Sequence, residues 1–291
     1  MASGMSLWMR VLASLGLAAG LALPGHGNAG ERLLATGGVT QIEGSAGGGI
    51  VPWALIAGYG TRDELGLTAA HTHLAVDDFR LQSTGFAMGF YDRFEVSLAK
   101  QRLTLGSTAP GESISQEIIG IKLKLAGDAV FDQDRLLPQI AVGAQFKNNR
   151  DFELPRLLGA KRSSGVDFYV AATKMHFAAL AGRNVLWNVT ARATKANQLG
   201  LLGFGGDKND DYRLKLEGSV AFFVNDRLAV GVEYRDKPDN LRAFSEDSFK
   251  DVFVAFLPDK RFAITAAYAR LGNIADKRSQ DGFYLSGQLS F

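Results

Sequence analysis

The chain closes on Phe283-Tyr284-Leu285-Ser286-Gly287-Gln288-Leu289-Ser290-Phe291, in which Phe283, Leu285, Gly287, Leu289 and Phe291 alternate with Tyr284, Ser286, Gln288 and Ser290. Side chains of a strand point to opposite faces in turn, so this period of two gives one apolar and one polar face. The segment before it repeats the pattern, with Phe262, Ile264, Ala266 and Tyr268 against the small face Ala263, Thr265, Ala267 and Ala269. Leu228, Val230, Val232 and Tyr234 oppose Ala229, Gly231, Glu233 and Arg235, and Leu214, Leu216, Val220 and Phe222 oppose Arg213, Lys215, Glu217, Ser219 and Ala221. Upstream, Val185, Trp187 and Val189 face away from Asn188, Thr190 and Arg192, and Ile119, Ile121 and Leu123 away from Gly120, Lys122 and Lys124. Charges fall on one face only.

The connections sort into two kinds. Tyr91-Asp92-Arg93, Val224-Asn225-Asp226-Arg227 and Leu257-Pro258-Asp259-Lys260 have the Asp, Asn and Pro chemistry of tight turns. Longer polar links at 106–113, 148–165, 195–211, 235–248 and 271–282 lie between them, although the turn-type links at 126–136 and 178–184 are longer than the rest. A soluble sandwich has no reason to keep short and long links in phase, whereas a transmembrane barrel has short periplasmic turns and long outer loops. The pattern predicts an all-β, antiparallel transmembrane barrel of twelve strands, near 65–76, 79–91, 94–105, 114–126, 137–147, 165–177, 184–195, 211–223, 226–236, 248–257, 260–271 and 283–291. The Gly-rich stretch 37–60 supplies one more hairpin in the alternative of fourteen strands, or a plug.

The other bounds are compositional. Arg10 is the only charge before Glu31, and the apolar run Val11–Leu23 is followed by Pro24 and small residues up to Gly27-Asn28-Ala29. This predicts a secretory signal peptide over residues 1–29, since the run is shorter than the roughly 20 residues that cross a bilayer as a helix. Residues 30–60 then form a Gly-rich N-terminal segment and 61–291 the barrel. The 291 residues include no cysteine, which excludes a disulfide scaffold and thiolate metal centres. Lys and Arg total 32 against 30 Asp and Glu, with no basic block, so nothing marks a nucleic-acid binder.

The terminal Phe291, preceded by alternating apolar residues at Phe283, Leu285 and Leu289, resembles the C-terminal assembly signature of Gram-negative outer-membrane β-barrel proteins. The Gly-rich opening, with Gly37-Gly38-Val39, Gly47-Gly48-Gly49-Ile50-Val51-Pro52-Trp53-Ala54 and Gly58-Tyr59-Gly60-Thr61, resembles an uncharacterised proteobacterial family of predicted outer-membrane proteins. The resemblance implies an outer-membrane location, with membrane lipid and the barrel-assembly machinery as partners, and brings no activity.

Candidate chemistry is sparse. His71 and His73 share a strand face, but with no carboxylate on that face before Asp77 they read as rim or lumen polar residues. No nucleophile elbow accompanies them or His176, so no catalytic residue, metal site or cofactor is assigned. Gly47-Gly48-Gly49 lacks the Gly-Lys-Ser/Thr ending of a phosphate loop and reads as a tight passage of backbone. Asp207-Lys208-Asn209-Asp210-Asp211 opens like a calcium loop, but Tyr212 and Gly218 stand where the turn glycine and the bidentate Glu belong. Leu157-Leu158 reads as part of a short helix over or in the barrel, or of an ordinary loop.

Basic residues facing lipid at mid-depth would cost roughly 2–4 kcal/mol each, so the charged face points inward. Lys122, Lys124, Arg192, Arg213 and Lys215, with Glu217, Glu233 and Arg235, are the candidate solute contacts. The basic set suggests a track with a mild preference for anions. The expected function is a passive, porin-like channel for small hydrophilic solutes and not an enzyme. The alternative is a plugged structural or accessory barrel in which the same charges pair off.

Overall fold

A computed structural model describes residue 30 and residues 32–291, so the signal peptide predicted over 1–29 lies outside the described residues. Twelve antiparallel strands close into one barrel. They are β3 (Leu65–Val76), β4 (Arg80–Phe90), β5 (Phe94–Thr104), β6 (Ser113–Ala126), β7 (Gln139–Asn149), β8 (Ser164–Leu180), β9 (Arg183–Thr194), β10 (Arg213–Asn225), β11 (Leu228–Arg235), β12 (Phe249–Phe256), β13 (Phe262–Ile274) and β14 (Lys277–Ser290). Each pairs with its chain neighbours, and β14 returns to β3 in a ladder from Ser290↔Thr68 to Gly282↔Val76, so no edge is left open. Phe291 extends the closing seam, its N–H donating to Leu67 O at 2.9 Å and its carbonyl accepting from Leu67 N at 3.0 Å.

The period of two governs the wall. Phe262, Ile264, Tyr268, Phe283, Leu285 and Leu289 are exposed, as are Val252 and Val254 on β12, while Ala263, Thr265, Ala267, Ser286 and Gln288 are buried. The outer surface is therefore an apolar band. Residues 91–93, 127–138, 181–182, 226–227 and 257–261 join strands at the turn end, and at the loop end the long links 105–112, 150–163, 195–212 and 236–248 are accompanied by two short ones, 77–79 and 275–276.

Two differences from the sequence reading have physical causes. The link expected over 271–282 is mostly strand, because β13 and β14 run on past their register shifts at Gly272 and Ile274 to a two-residue turn. The Gly-rich stretch does not enter the wall. It pairs with itself, β1 (Val39–Thr40) with β2 (Ala46–Gly47), two residues each, and Gly47 with Pro52 in an isolated bridge, and residues 40–60 are buried throughout inside the barrel. Backbone inside a closed wall cannot join the wall's ladder, so its N–H and C=O groups must find other partners.

Candidate functional site

The partners are the inward side chains of the wall. Glu95 on β5 accepts from Ala46 N at 3.1 Å and from Ala57 N at 2.9 Å, and Lys122 on β6 donates to Ala46 O and Leu55 O, both at 2.8 Å. The two side chains also pair with each other at 3.2 Å. Thr173 accepts from Ala54 N at 2.8 Å, Gln139 donates to Ala54 O at 2.6 Å, and Thr190 donates to Pro52 O at 2.8 Å. Ser219 accepts from the Trp53 indole at 2.9 Å. Gln288 accepts from Thr40 N at 2.6 Å, and Ser83 and Gln101 both donate to Ile42 O, at 2.7 and 2.6 Å. Each such bond satisfies a buried backbone group that would otherwise carry its full desolvation penalty.

Glu43, the only charged residue between Gly37 and Gly60, sits at the centre. It meets Lys147, Arg235 at 2.8 Å and Arg192 at 3.7 Å. The same cations are shared with two wall carboxylates: Lys147 with Asp167 at 2.6 Å, Arg192 with Glu217 at 2.5 Å and Asp167 at 3.4 Å, and Arg235 with Glu217 at 3.3 Å. Three cations thus face three carboxylates, all buried. Beside this network Glu233 on β11 accepts from Ile50 N at 2.8 Å and from Ser219 Oγ at 2.7 Å, directly opposite Asp251 on β12. Gly48 lies so close to Glu233 that a Cβ there would collide with the carboxylate, which accounts for the tight glycine passage.

Around these polar contacts the lumen is apolar. Leu74, Leu81, Leu103, Ile114, Phe249 and Leu271 point inward near the loop end and pack with Ile42 and Ile50. A second insertion comes from the loop end: residues 195–206 fold inward around a short 3-10 turn (Asn197–Gly200), and 196–206 are buried throughout. Leu199 O accepts from Gln116 at 3.2 Å and Lys147 at 3.3 Å, while Gln198 and Leu199 hold positive φ of 45° and 65°. The helix α1 (Glu153–Leu157) lies in the loop beside this insertion, where Leu154 and Leu158 pack on the core and Leu157 is exposed. Lys237 and Glu246 form a buried pair at 2.9 Å in the mouth, and Lys237 also donates to Leu271 O at 3.1 Å. Burial pushes the Lys237 amine down and the Glu246 carboxyl up from their ordinary values.

The residues singled out in the sequence are dispersed. Lys122, Arg192, Glu217, Glu233 and Arg235 line the lumen, but every one of them contacts the inserted segment or its network. Lys124 lies at the turn end and pairs with Asp92 at 2.7 Å. Arg213 and Lys215 lie at the loop end, the first bound to Asn209 at 2.8 Å and the second to Asp236 at 3.1 Å. The basic set therefore does not form one track, because inward positions on strands of different register reach different heights. His71 and His73 point outward, not to the rim or lumen, since Thr68, Ala70, Thr72 and Leu74 occupy the inner face of β3. His71 Nδ1 is 2.9 Å from Thr84 Oγ1, and His176 accepts from the Trp187 indole at 3.1 Å. The acidic loop 207–211 is already engaged, with Asp210 gripped by Arg162 at 2.5 and 2.9 Å and Asp207 accepting from Arg242 N. Phe283, Leu285, Leu289 and Phe291 all lie on the exposed outer face beside the closing seam.

Fold and lumen define a class: a closed, antiparallel twelve-stranded β-barrel whose interior is occupied by its own chain. Residues 36–288 match the family described as "Protein of unknown function (DUF3034)", and the chain belongs to that family. No curated protein matches it in sequence. Among solved structures it is similar to the KdgM porin (10% identity, 78% of this chain and 99% of that chain, TM-score 0.47). It is also similar to the outer membrane protein Omp33 of Acinetobacter baumannii (9%, 78% and 97%, TM-score 0.43) and to the COG4313 outer membrane channel from Pseudomonas putida F1 (12%, 83% and 96%, TM-score 0.39).

Proposed function

We propose that the protein is exported by its N-terminal signal and resides in the Gram-negative outer membrane, turn end in the periplasm, as a barrel kept shut by residues 32–60. On this reading its part there is structural or accessory, and the channel reading applies only to a form from which that segment has been withdrawn. The observation that carries it is the neutral set of Glu43 with Lys147, Arg192, Arg235, Asp167 and Glu217, which leaves none of its lumen cations free to attract a passing anion. Apolar inward residues such as Leu81, Phe249 and Leu271 support it further, because a wet conduit has a polar interior.

The test is single-channel conductance of the full chain in a planar bilayer, beside a variant lacking residues 32–57. The intact protein is expected to be silent and the truncated one to conduct, with a reversal potential in a salt gradient that reads the preference set by the unmasked Lys122, Lys147, Arg192 and Arg235. Steady openings from intact, heat-modifiable barrel would overturn the proposal in favour of passive diffusion.

A further inference from the structure

Of the carboxylates buried inside the barrel, all but two are neutralised. Glu95 pairs with Lys122, Glu246 pairs with Lys237, and Glu43, Asp167 and Glu217 share Lys147, Arg192 and Arg235. The two are Glu233 and Asp251, neither of which has a basic nitrogen within 4 Å among the described residues. They stand directly opposite each other on β11 and β12 and both point inward, so their Cβ atoms are roughly 5 Å apart and their charges repel. Arg235, two residues along β11 on the same face, does not answer them, because it is committed to Glu43 at 2.8 Å and to Ile50 O at 2.9 Å.

A third polar group converges on the same place. Tyr284 on β14 is buried and its hydroxyl has no hydrogen-bond partner, as is also true of Asp251 Oδ1. The hydroxyls of Thr72 and Ser286, which share the inner face with Tyr284, bond each other at 2.9 Å. From the point where a Cβ would stand on Gly49, Glu233 Oε2 is 3.2 Å away and the Tyr284 hydroxyl 3.6 Å, so carboxylate and phenol meet beside the inserted segment. Each Glu233 oxygen accepts one hydrogen bond, from Ile50 N or Ser219 Oγ, and keeps a further lone pair. Unpaired polar atoms are rare in protein interiors, and an uncompensated buried charge is costly. Two carboxylates and a phenol with no base among them are the all-oxygen, doubly negative set that a hard divalent cation takes. Calcium accepts irregular oxygen sets, whereas magnesium demands near-ideal octahedral geometry and keeps several waters, which suits the tight passage of Gly48 against Glu233 poorly.

We propose that Glu233 and Asp251, with the Tyr284 hydroxyl, form a calcium site that fastens residues 48–50 of the inserted segment to the wall. The carboxylates supply the charge and the phenol a neutral oxygen. The ion turns the repulsion between β11 and β12 into attraction and, through the bond of Ile50 N to Glu233, secures the side of the segment away from Glu43. The site depends neither on the closed lumen nor on the membrane that holds the barrel, so the conductance result does not decide it.

The probe is terbium, which takes calcium sites and emits when excited through a nearby indole. Trp53 is placed for this, since its indole donates to Ser219 Oγ, which donates to Glu233. Full chain refolded from urea into detergent, free of native lipid and confirmed as barrel by heat-dependent migration, is titrated with terbium and then with calcium. The wild type is expected to hold about one ion per barrel and to lose its emission as calcium displaces terbium. Glu233→Gln/Asp251→Asn is expected to bind about a hundredfold or more weakly, for the loss of both charged ligands. Trp53→Phe should go dark while still binding calcium and Trp187→Phe should stay bright, and the reverse overturns the location. Asp207→Asn/Asp210→Asn, in the acidic outer loop, is expected to leave binding unchanged. No bound ion, or equal binding by the double variant, overturns the site, and displacement by magnesium as effective as by calcium overturns the choice of ion. Where the double variant fails to fold, urea midpoints of the single variants decide. In chelator Glu233→Gln should be no less stable than the wild type, and in calcium the wild type should gain while Glu233→Gln and Asp251→Asn do not. A gain shared by both variants overturns the site.

Discussion

The inserted segment meets the wall differently on its two sides. On one side Glu43 is surrounded by Lys147, Arg192 and Arg235, with Asp167 and Glu217 completing a neutral set. On the other, Gly48 to Ile50 rests on Glu233, which has no cation within 4 Å and faces a second carboxylate, Asp251, one oxygen of which has no hydrogen-bond partner. The first side is held by opposite charges taken out of water together, the second by hydrogen bonds to a carboxylate with a repelling neighbour. The segment is therefore anchored on the Glu43 side, and the Glu233 side is where it is most easily loosened.

The largest expected effect breaks the anchor. Glu43→Gln leaves three buried cations with two carboxylates, and removing one member of a buried ionic set costs about 3–5 kcal/mol. Urea midpoints in detergent should fall accordingly, and the variant should show openings in a bilayer that the wild type lacks. A midpoint within error of the wild type would mean that the network contributes nothing to closure.

Both sides of this comparison were only half legible in the sequence. The wall could be read because the alternation of apolar outward and polar or small inward residues survives in most strands, as in Phe262 to Ala269. The twelve strands and the closing segment followed from that. The occupied lumen could not be read in the same way. A channel filled by chain accepts apolar residues on its inner face, so Leu74, Leu81 and Leu103 sit inside while His71 and His73 sit outside, and the rule of polar inside and apolar outside fails on β3 to β5. The Gly-rich segment is buried on all sides and has no period to detect. One signal was available: Glu43 is the lone charge in an uncharged stretch, and the inferred inner face had more bases than acids, so a carboxylate from outside the wall was wanted. The insertion of 195–206 has a signal of its own, because Leu199, Leu201, Leu202 and Phe204 are large apolar residues in a link that an exposed loop would fill with polar ones.

Where the segment enters the barrel, the contacts are intermediate between the two sides. Arg32 pairs with Asp92 at 2.9 Å, Asp92 pairs with Lys124, and Lys124 reaches Asp128 at 4.0 Å in the turn-end link. Burial raises the Asp128 carboxyl, but the amides of Phe131 and Val130, with Lys124 and Arg32, outweigh it and hold the group below its ordinary value. A carboxyl with a lowered folded pKa contributes stability that is complete above the ordinary value of 3.8 and is lost as pH falls through the lowered one. Asp128→Asn should cost about 1 kcal/mol near neutral pH, since the site is partly open to water, and the difference from wild type should shrink in strongly acidic buffer. A constant difference at all pH values would assign the effect to packing.

The Glu233 side predicts a change of opposite sign. Glu233→Gln keeps an oxygen to accept from Ile50 N and removes the like charge facing Asp251, so stability should stay within about 0.5 kcal/mol of wild type, on the favourable side. A loss as large as that of Glu43→Gln would mean that the two sides are equivalent and would remove the asymmetry argued above.

The smallest effect belongs to the loops, and it shows that ion pairing alone does not explain closure. Arg162 grips Asp210 through two hydrogen bonds, a geometry as good as any in the lumen, and the guanidinium holds the Asp210 carboxyl below its ordinary value. Both side chains are nevertheless exposed, at 51% and 39%, so water and salt screen the pair. Asp210→Asn is expected to change stability by about 0.3 kcal/mol or less, and even that should fade in high salt or as pH falls below the ordinary carboxylate value of 3.8. If it instead matched Glu43→Gln, burial would not be what separates the two pairs, and the anchor would have to be sought in the loops.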